Sequence, residues 1–315
     1  MTDGLVIRRA TLEDYQGVMD IGKIYYGRDY LPVMYKKYLK WFNCHIAEKN
    51  GEIVGFNGAR LVDCGMTLCR SAARVKEVYQ GQGVLAAIVK DIYDFYKDKD
   101  SVKYEAIATD NVNMEANGDK IKQRFTQILQ RVFVEILGEV TDFKPNTMES
   151  DETQVQELTP EDLKEIFQSK DSCSRLFPGE RIIPNWHPYR LLPENIPLMM
   201  EGSKFWGTKC SDQSKYTTLT VTEVYNLGER LVLKICVYGN DVIDIKRHVV
   251  KHIQNLKRLV EIGTCSSIMI HLSHSLDCQD TKTFLSVFEK CGLKINSDFP
   301  VNMMFLFERE IKNKL

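Results

Sequence analysis

The sequence has 315 residues and a mass of 36.4 kDa, with 43% hydrophobic and 27% charged residues and a formal net charge of −1. This length and balance predict a globular chain with room for two domains. The small net charge argues against general nucleic-acid binding, which requires a basic excess to displace counterions from phosphates. No apolar run is long enough to span a bilayer, and the acidic N-terminal segment lacks the apolar core of a secretory signal.

The nine cysteines are scattered, without a CxxC pair or a Cys/His grouping at zinc spacing. We therefore expect free thiols in a reducing compartment, which predicts a cytoplasmic protein. We expect no bound metal and no membrane partner.

The first elements in chain order are a strand over residues 5–8 and a helix that starts at Thr11. Asp14 lies three residues after this threonine and completes a capping box. Strands over residues 44–48 and 52–62 then flank Asn50-Gly51, the favoured pair for a two-residue hairpin.

A turn at residues 63–65 leads to a strand over residues 66–75, followed by the stretch QGQGV at residues 80–84. A helix to Tyr96 and a strand over residues 104–109 come next. An antiparallel meander followed by a helix and a strand predicts an α/β chain with a mixed sheet. Glycines before a helix allow a phosphate to approach the backbone and the helix amides, but two glycines alone fit an ordinary tight turn equally well.

The second half repeats the start of the first, because Thr159, Pro160 and Asp162 form the same kind of helix start after a strand. Each half also ends in an apolar segment that a glycine stops, at residues 128–137 and 284–291, and we predict both segments as helices. Two unrelated halves remain the alternative. The polar stretch over residues 143–152 is predicted as the linker, which gives domains at residues 1–145 and 153–315.

The segment Gln80-x-x-Gly83, after a meander and before a helix, resembles the acetyl-CoA signature of GNAT acetyltransferases, Arg/Gln-x-x-Gly-x-Gly/Ala. Residues 26–32, 62–65, 74–75 and 81–84 resemble the histidine N-acetyltransferase family more closely. In that group an active GNAT module precedes a degenerate one. The resemblance implies two tandem GNAT-like domains with mixed, mostly antiparallel sheets flanked by helices, the second degenerate.

The resemblance further implies acetyl-CoA as cosubstrate, no metal, and transfer of an acetyl group to the amine of a small amino acid similar to histidine. Leu85 stands where the signature has a small residue. The residues that the resemblance places against the coenzyme, with the Val75 amide as oxyanion donor, are Val75, Gln80, Gly81, Gln82, Gly83, Val84 and Leu85.

Relatives in this group carry a glutamate three residues before the arginine of the Arg-Val pair, where this chain has Ser71. Glu105, on the strand after the coenzyme helix, and Ser71, acting through water, are the candidates for the general base. A purely structural role is the alternative for each. No tyrosine follows Asn111 closely, so water would protonate the departing thiolate.

The loop after the first helix is aromatic and polar, and GNAT folds receive their acceptor there. Asp29 would attract a cationic amine, Arg28 would pair with a substrate carboxylate, and Tyr30 lies beside them. A packed surface loop is the alternative. In the second half, Trp186 and His187 belong either to a pocket wall or to an ordered turn.

The second half places Asp241 and Asp244 where a pyrophosphate would lie, and their charges would repel it, which predicts that this half binds no coenzyme. His248 and His252 lie one helical turn apart. Because no third ligand accompanies them, we expect a solvated helix face rather than a metal site.

Three functions remain open from the sequence. The first is acetylation of a small amino acid. A catalytically silent GNAT-fold binding protein is the second, and an acetyltransferase for protein N-termini or lysines is the third.

Overall fold

The computed structural model describes residues 4–22, 29–144, 155–209, 215–275, 278–298 and 302–311. The chain divides into two compact units. The first consists of Met1–Ile107 with Glu308–Leu315, and the second of Ala108–Phe307. The predicted linker lies mostly outside the described residues, so the proposed boundary near residues 145–153 remains a prediction.

The first unit contains a mixed sheet in the order β1-β2-β3-β4-β5, in which β4 and β5 are parallel and the other neighbours antiparallel. Its last strand continues into the second unit. The elements are β1 (Leu5–Arg9), α1 (Tyr15–Met19), α2 (Leu31–Trp41), β2 (Asn43–Lys49), β3 (Glu52–Val62), β4 (Thr67–Val75), α3 (Val84–Tyr96) and β5 (Tyr104–Asp110).

The predicted helix start at Thr11 and the predicted hairpin are both present. The Asp14 carboxylate accepts hydrogen bonds from the backbone amide and the hydroxyl of Thr11, and Arg8 holds it through two further bonds of 2.8 and 2.7 Å. A 3₁₀ turn occupies the first three residues, so α1 begins only at Tyr15. Asn50 and Gly51 both have positive φ, as a tight hairpin turn of this kind requires.

Helix α3 packs directly on the sheet through an apolar stripe with four-residue spacing. Val84, Ile88 and Ile92 are buried at the contact. Gly55 on β3 makes the close approach possible, because a Cβ there would lie 2.8 Å from Val84 Cγ1 and 2.9 Å from Ile88 Cδ1. This packing fixes the position of the turn that leads into α3.

The second unit contains a mixed sheet in the order β7-β10-β11-β12-β13-β6, with β14 and β15 also beside β6. Along this order β12 and β13 pair in parallel, and the other neighbours pair antiparallel. The elements are α4 (Asn111–Lys122), β6 (Thr126–Glu139), β7 (Gln156–Glu157), α5 (Pro160–Gln168), α6 (Lys170–Leu176), β8 (Arg181–Ile182), β9 (Tyr189–Arg190), α7 (Ile196–Met200), β10 (Lys204–Lys209), β11 (Tyr216–Asn226), β12 (Arg230–Tyr238), α8 (Val242–Ile262), β13 (Ser267–His274), α9 (Cys278–Lys290), β14 (Lys294–Ile295) and β15 (Asn302–Glu310).

The two units share one local arrangement, in which an antiparallel meander leads through a helix to a parallel strand. In the first unit this is β4-α3-β5, and in the second it is β12-α8-β13. The predicted capping box of the second half is also present. The Thr159 hydroxyl accepts from the amide of Asp162 at 3.2 Å, while the Asp162 carboxylate accepts from the amide of Thr159 at 2.8 Å.

The predicted helix over residues 128–137 is wrong, because these residues belong to β6. Their apolar side chains are not confined to one helical face. Val134 and Ile136 are buried in the core beneath α8 and α9, while Phe133 and Glu135 are buried on the opposite face of the strand. A strand covered on both sides needs no alternation of apolar and polar residues, and its sequence pattern is therefore ambiguous.

The expectation of a solvated face at His248 and His252 is also wrong. His248 is fully buried and His252 is 2% exposed. The Thr220 hydroxyl lies 2.8 Å from His248 Nδ1 and 2.7 Å from His252 Nε2, and Thr208 lies 2.9 Å from His248 Nε2. These hydroxyls satisfy the ring nitrogens, and burial lowers the pKa of His248 to about 3. The pair is a neutral part of the core.

Across the described ranges, every helix is too short or too polar to cross a membrane.

Candidate active site

The pairing of β4 with β5 ends before β4 does. The parallel register runs from Thr67 and Tyr104 to Arg70 and Ile107, and β4 continues to Val75 paired with β3. Within this extension the register against β3 shifts near Asn57, and Ala72 has a positive φ of 58°. This bulge bends β4 in the part of the strand where the edge that faced β5 has no partner strand.

Val75 presents its backbone polar groups at that open edge. The amide of Lys76 donates to Val54 on β3 at 2.9 Å. Because successive residues of a strand direct their N–H and C=O groups to opposite edges, those of Val75 point away from β3. Its carbonyl accepts a 3.2 Å bond from Gln80 Nε2. The Val75 amide therefore faces the open edge of β4, and its role as an oxyanion donor stays a prediction.

The glycine stretch forms the turn between β4 and α3. Gly81 has φ 73° and Gly83 has φ 83°, and Gly83 is the N-cap residue of α3. A Cβ on Gly81 would meet no atom within 4 Å, so the space beside this turn is open. The Gln82 side chain holds the turn by donating to the carbonyl of Val78 at 2.7 Å.

The first amides of α3 complete this surface. They have no carbonyl acceptor one turn earlier in the helix, and together with the helix dipole they favour an anion. Leu85 is half-buried. Its amide belongs to the first turn, so the side chain at this position does not remove the donor. The residues predicted to contact the coenzyme thus form one continuous path from β4 to α3.

The predicted acceptor residue Asp29 is paired with Arg74 of β4. The two guanidinium nitrogens lie 2.5 and 3.2 Å from the carboxylate oxygens, and the arginine side chain is 1% exposed. Asp29 also accepts from the amide of Leu31 at the start of α2, at 3.0 Å. Its charge is therefore compensated, which weakens its attraction for a cation. Arg28 lies outside the described residues.

Three hydroxyl groups form a chain next to the bulge. Tyr38 on α2 lies 3.2 Å from the hydroxyl of Tyr30 and 3.3 Å from that of Ser71. The structure therefore connects the acceptor candidate Tyr30 with the catalytic candidate Ser71. Sequence reasoning missed Tyr38, although its spacing of seven from Leu31 places both on the buried stripe of α2.

Glu105 lies on the other face of the sheet, under α3, in a buried ionic network. Arg70 donates to one carboxylate oxygen, while Tyr93 and Arg309 donate to the other at 2.5 Å each. Burial raises the pKa of Glu105, but the charges of Arg70 and Arg309 outweigh it, and the net shift is downward. A carboxylate with both oxygens engaged and a lowered pKa is a poor general base, and this environment favours the structural role.

The corresponding helix start in the second unit is already capped by its own side chains. Asp241 accepts from the amides of Ile243 and Asp244 at 3.0 Å each. The Asp244 carboxylate is held by Thr217 and Arg247. Amides that a local carboxylate already satisfies are not available to a phosphate. Among the described residues, no cluster of three or more histidine, cysteine or acidic side chains is arranged to hold a metal.

Several known proteins are similar to this chain in sequence. A family model described as the C-terminal domain of histidine N-acetyltransferase matches residues 151–274. The chain is 24% identical to the histidine N-acetyltransferase of Oreochromis niloticus over 277 residues, 80% of this chain and 79% of the relative. It is also 24% identical to that of Xenopus tropicalis over 272 residues, 78% of each chain.

Two solved structures share the fold along almost their whole length. A tandem GNAT protein from the clavulanic acid biosynthesis pathway has a TM-score of 0.60 at 8% identity and covers 98% of this chain and 99% of its own. A GCN5-related N-acetyltransferase from Sphaerobacter thermophilus has a TM-score of 0.58 at 9% identity, with 99% and 98% covered. The chain is a GNAT-fold protein similar to the histidine N-acetyltransferases. The fold class expected from the resemblance, a mixed α/β tandem GNAT architecture, is confirmed.

The position of Glu105 in this GNAT-fold chain generates a stability prediction. Glu105→Gln should lower the free energy of unfolding by about 1–3 kcal/mol near pH 7, because two partly exposed arginines lose the counter-charge of the buried carboxylate. Glu52→Gln is the matched control, since Glu52 pairs with Lys76 at the surface and its loss should cost less than about 1 kcal/mol. Urea unfolding of both variants measures the difference.

The pH dependence of the free energy of unfolding tests whether the charge of Glu105 causes this loss of stability. Because the folded pKa of Glu105 is lowered, its contribution is fully present above the unfolded value near pH 4.5 and is lost as pH falls through the folded pKa. Glu105→Gln should therefore lose stability less steeply than wild type below pH 4.5. Equal costs for the two variants near pH 7 would contradict a charge-compensated Glu105.

Proposed function

We propose that this chain is an acetyl-CoA-dependent N-acetyltransferase that acts on the amine of a small amino acid resembling histidine. One observation carries the proposal: the open edge of β4 at Val75 leads through Gly81 and Gly83 to the unpaired amides at the start of α3. The similarity to proteins named histidine N-acetyltransferase supports the reaction and the acceptor class.

In this proposal the turn holds the coenzyme pyrophosphate. The amides of Gly81 and of residues 83–85 donate to its oxygens, while the amide of Gln82 donates to the carbonyl of Tyr79 within the turn. The two left-handed glycines let the backbone approach without side chains in the way. The thioester arm then lies along the open edge of β4, with its carbonyl oxygen at the amide of Val75. The bond from Gln80 to the Val75 carbonyl holds the turn against β4, which sets the distance between the pyrophosphate and the thioester.

The reaction needs no metal. The neutral amine attacks the thioester carbon, and the Val75 amide stabilises the negative charge that develops on the carbonyl oxygen. Collapse of this intermediate forms the amide bond and expels the coenzyme thiolate, which takes a proton from water. The proton of the amine leaves through a water at Ser71, and the hydroxyls of Tyr38 and Tyr30 carry it onward.

The acceptor is proposed to bind beside Asp29 and Tyr30, at the start of α2. The ion pair with Arg74 anchors Asp29 in this position and compensates its charge. Asp29 therefore contributes a hydrogen-bond acceptor for the amine rather than a full negative charge. Arg28 is the proposed partner of the acceptor carboxylate.

A second candidate function is a catalytically silent coenzyme-binding protein. It is favoured by a serine at position 71, which contacts Tyr38, and by the engagement of the Glu105 and Asp29 carboxylates with arginines. The two candidates share the coenzyme site and differ only in turnover.

We further propose that residues 153–315 are a degenerate GNAT-like domain that binds no coenzyme, since Asp241 caps the helix start itself. One coenzyme per chain is then expected. A cytoplasmic location is proposed from the cysteines, of which the seven described are free thiols.

Turnover with free amino acids tests the function directly. The purified chain, given acetyl-CoA and a panel of amino acids with a lysine-containing peptide, should release free thiol fastest with histidine or a close analogue. Thiol release is followed spectrophotometrically, and the product by mass spectrometry. Coenzyme binding without turnover on any amine would favour the silent binding protein, and preference for the peptide would contradict the small-acceptor proposal.

Coenzyme binding is tested at the glycine turn. Gly81→Asp should weaken acetyl-CoA binding more than about tenfold, because it adds a negative charge beside the pyrophosphate. Gly51→Asp is the matched control, since both glycines have similar positive φ, 73° and 78°, and open space at the Cβ position. Calorimetric titration should show wild-type affinity for Gly51→Asp. Equal affinities in the two variants would remove the turn from the coenzyme site.

The hydroxyl chain is tested on α2. Tyr38→Phe should lower kcat by about tenfold to a hundredfold with an unchanged KM for acetyl-CoA, because it interrupts the path from Ser71 to Tyr30. Tyr35→Phe is the control, since this neighbouring buried tyrosine donates instead to the carbonyl of Thr11. Steady-state kinetics measures both variants. An equal decrease of kcat in the two variants would argue against the relay.

A further inference from the structure

The bulge of β4 decides which residues of this strand face α2. Ser71 contacts the hydroxyl of Tyr38 on α2, and Arg74 pairs with Asp29 just before the same helix. These two β4 residues are three positions apart, and in a regular strand such residues point to opposite faces of the sheet. The extra residue of the bulge brings both side chains to the face that α2 covers.

Asn57 on β3 lies opposite this bulge. The register against β4 shifts at this residue, so it stands opposite both Ala72 and Ala73. Ala72, the first of the two, has a φ of 58°, and in bulges of this form the first position is usually glycine. Because Ala72 carries a Cβ, its left-handed conformation is unfavourable in isolation.

The Asn57 side chain bridges the bulge. It is fully buried, and its Nδ2 donates to the backbone carbonyl of Ser71 at 2.9 Å. This carbonyl belongs to the peptide that joins Ser71 to Ala72, so the bond fixes the orientation of the peptide that enters the left-handed position. An unfavourable backbone conformation persists only where the surrounding structure holds it, and this hydrogen bond is such a contact.

We propose that Asn57 is a positioning residue for the proposed acetyl transfer. Its bond to the Ser71 carbonyl holds Ala72 in the left-handed conformation. The bulge then keeps the hydroxyl chain and the ion pair of Asp29 together on the α2 side of β4, where the acceptor is proposed to bind. Asn57 touches no reacting atom and acts through the shape of the strand. The inference rests on the proposed function, because only that function makes the α2 side the acceptor side.

Rescue by glycine tests this role. Asn57→Leu removes the donor at a similar volume and should lower kcat/KM for the acceptor by about tenfold to a hundredfold, because the Ser71 carbonyl loses its partner and the bulge relaxes. Ala72→Gly supplies a residue that adopts the left-handed conformation without a Cβ. The double variant should therefore have nearly the activity of Ala72→Gly alone. An equal loss on Asn57→Leu in both backgrounds would overturn the proposal.

Coenzyme binding distinguishes positioning from general support of the fold. Calorimetric titration of Asn57→Leu should give an acetyl-CoA affinity close to that of the wild type, since the glycine turn lies beyond the bulge. A residue that merely supports the first unit would affect both substrates. Equal losses of acetyl-CoA affinity and of kcat/KM for the acceptor would therefore count against the positioning role.

Two controls separate the bulge from other positions in the same sheet. Asn50 in the hairpin also has a positive φ, 53°, and Asn50→Gly should not restore the activity of Asn57→Leu. Asn43 on β2 is a comparably buried asparagine, 8% exposed, and Ala72→Gly should not restore any activity that Asn43→Leu loses. Rescue in either control would refute a local coupling between Asn57 and Ala72.

Urea unfolding separates this inference from the proposed function. Asn57→Leu should lower the urea midpoint of the wild type and should lower it less in the Ala72→Gly background, whatever the chain acetylates. No turnover of any amine by the wild type would contradict the proposed function, whereas equal midpoint shifts in the two backgrounds would contradict the coupling of Asn57 to Ala72. If Asn57→Leu does not fold, the double variant should fold, and failure of both would reject the proposal.

Discussion

The early end of the parallel pairing between β4 and β5 is the constraint on which the proposed coenzyme site depends. Beyond Arg70 the backbone of β4 pairs only with β3, and its other edge is open. The bulge at Ala72 bends this part of β4, which then leads to the turn before α3. Strand amides without a partner are costly unless something accepts from them. A ligand that runs from Val75 to the helix start would satisfy both sets of donors, which explains why they occur together.

The two units differ in what contacts the backbone groups at the end of the meander and at the start of the helix that follows. In the first unit the open edge leads to a helix start free of acidic caps. In the second, Asp241 caps the helix, and the carbonyls where β12 and β13 separate accept from Arg131. Side chains thus occupy the backbone groups that a coenzyme would use. This difference supports the proposal that only the first half binds acetyl-CoA.

Charge compensation decides which acidic residues can take part in chemistry. Glu105 is tied to two arginines and a tyrosine and holds β5 and α3 in the first unit, and Asp29 is tied to Arg74. Neither carboxylate is available as a strong base. The proposed proton path therefore consists of hydroxyl groups and water, for which Ser71 at the bulge is suitably placed.

The sequence by itself determined the features that depend on a few neighbouring residues. Capping boxes, the Asn50-Gly51 hairpin and the glycine turn before α3 are set by local backbone preferences, and each is present. Only the tertiary structure decided that residues 126–139 form a strand, that His248 is buried, and that Tyr38 joins Ser71 to Tyr30. Strand burial on both faces and hydrogen bonds between distant side chains depend on which segments pack together, and no local pattern encodes that choice.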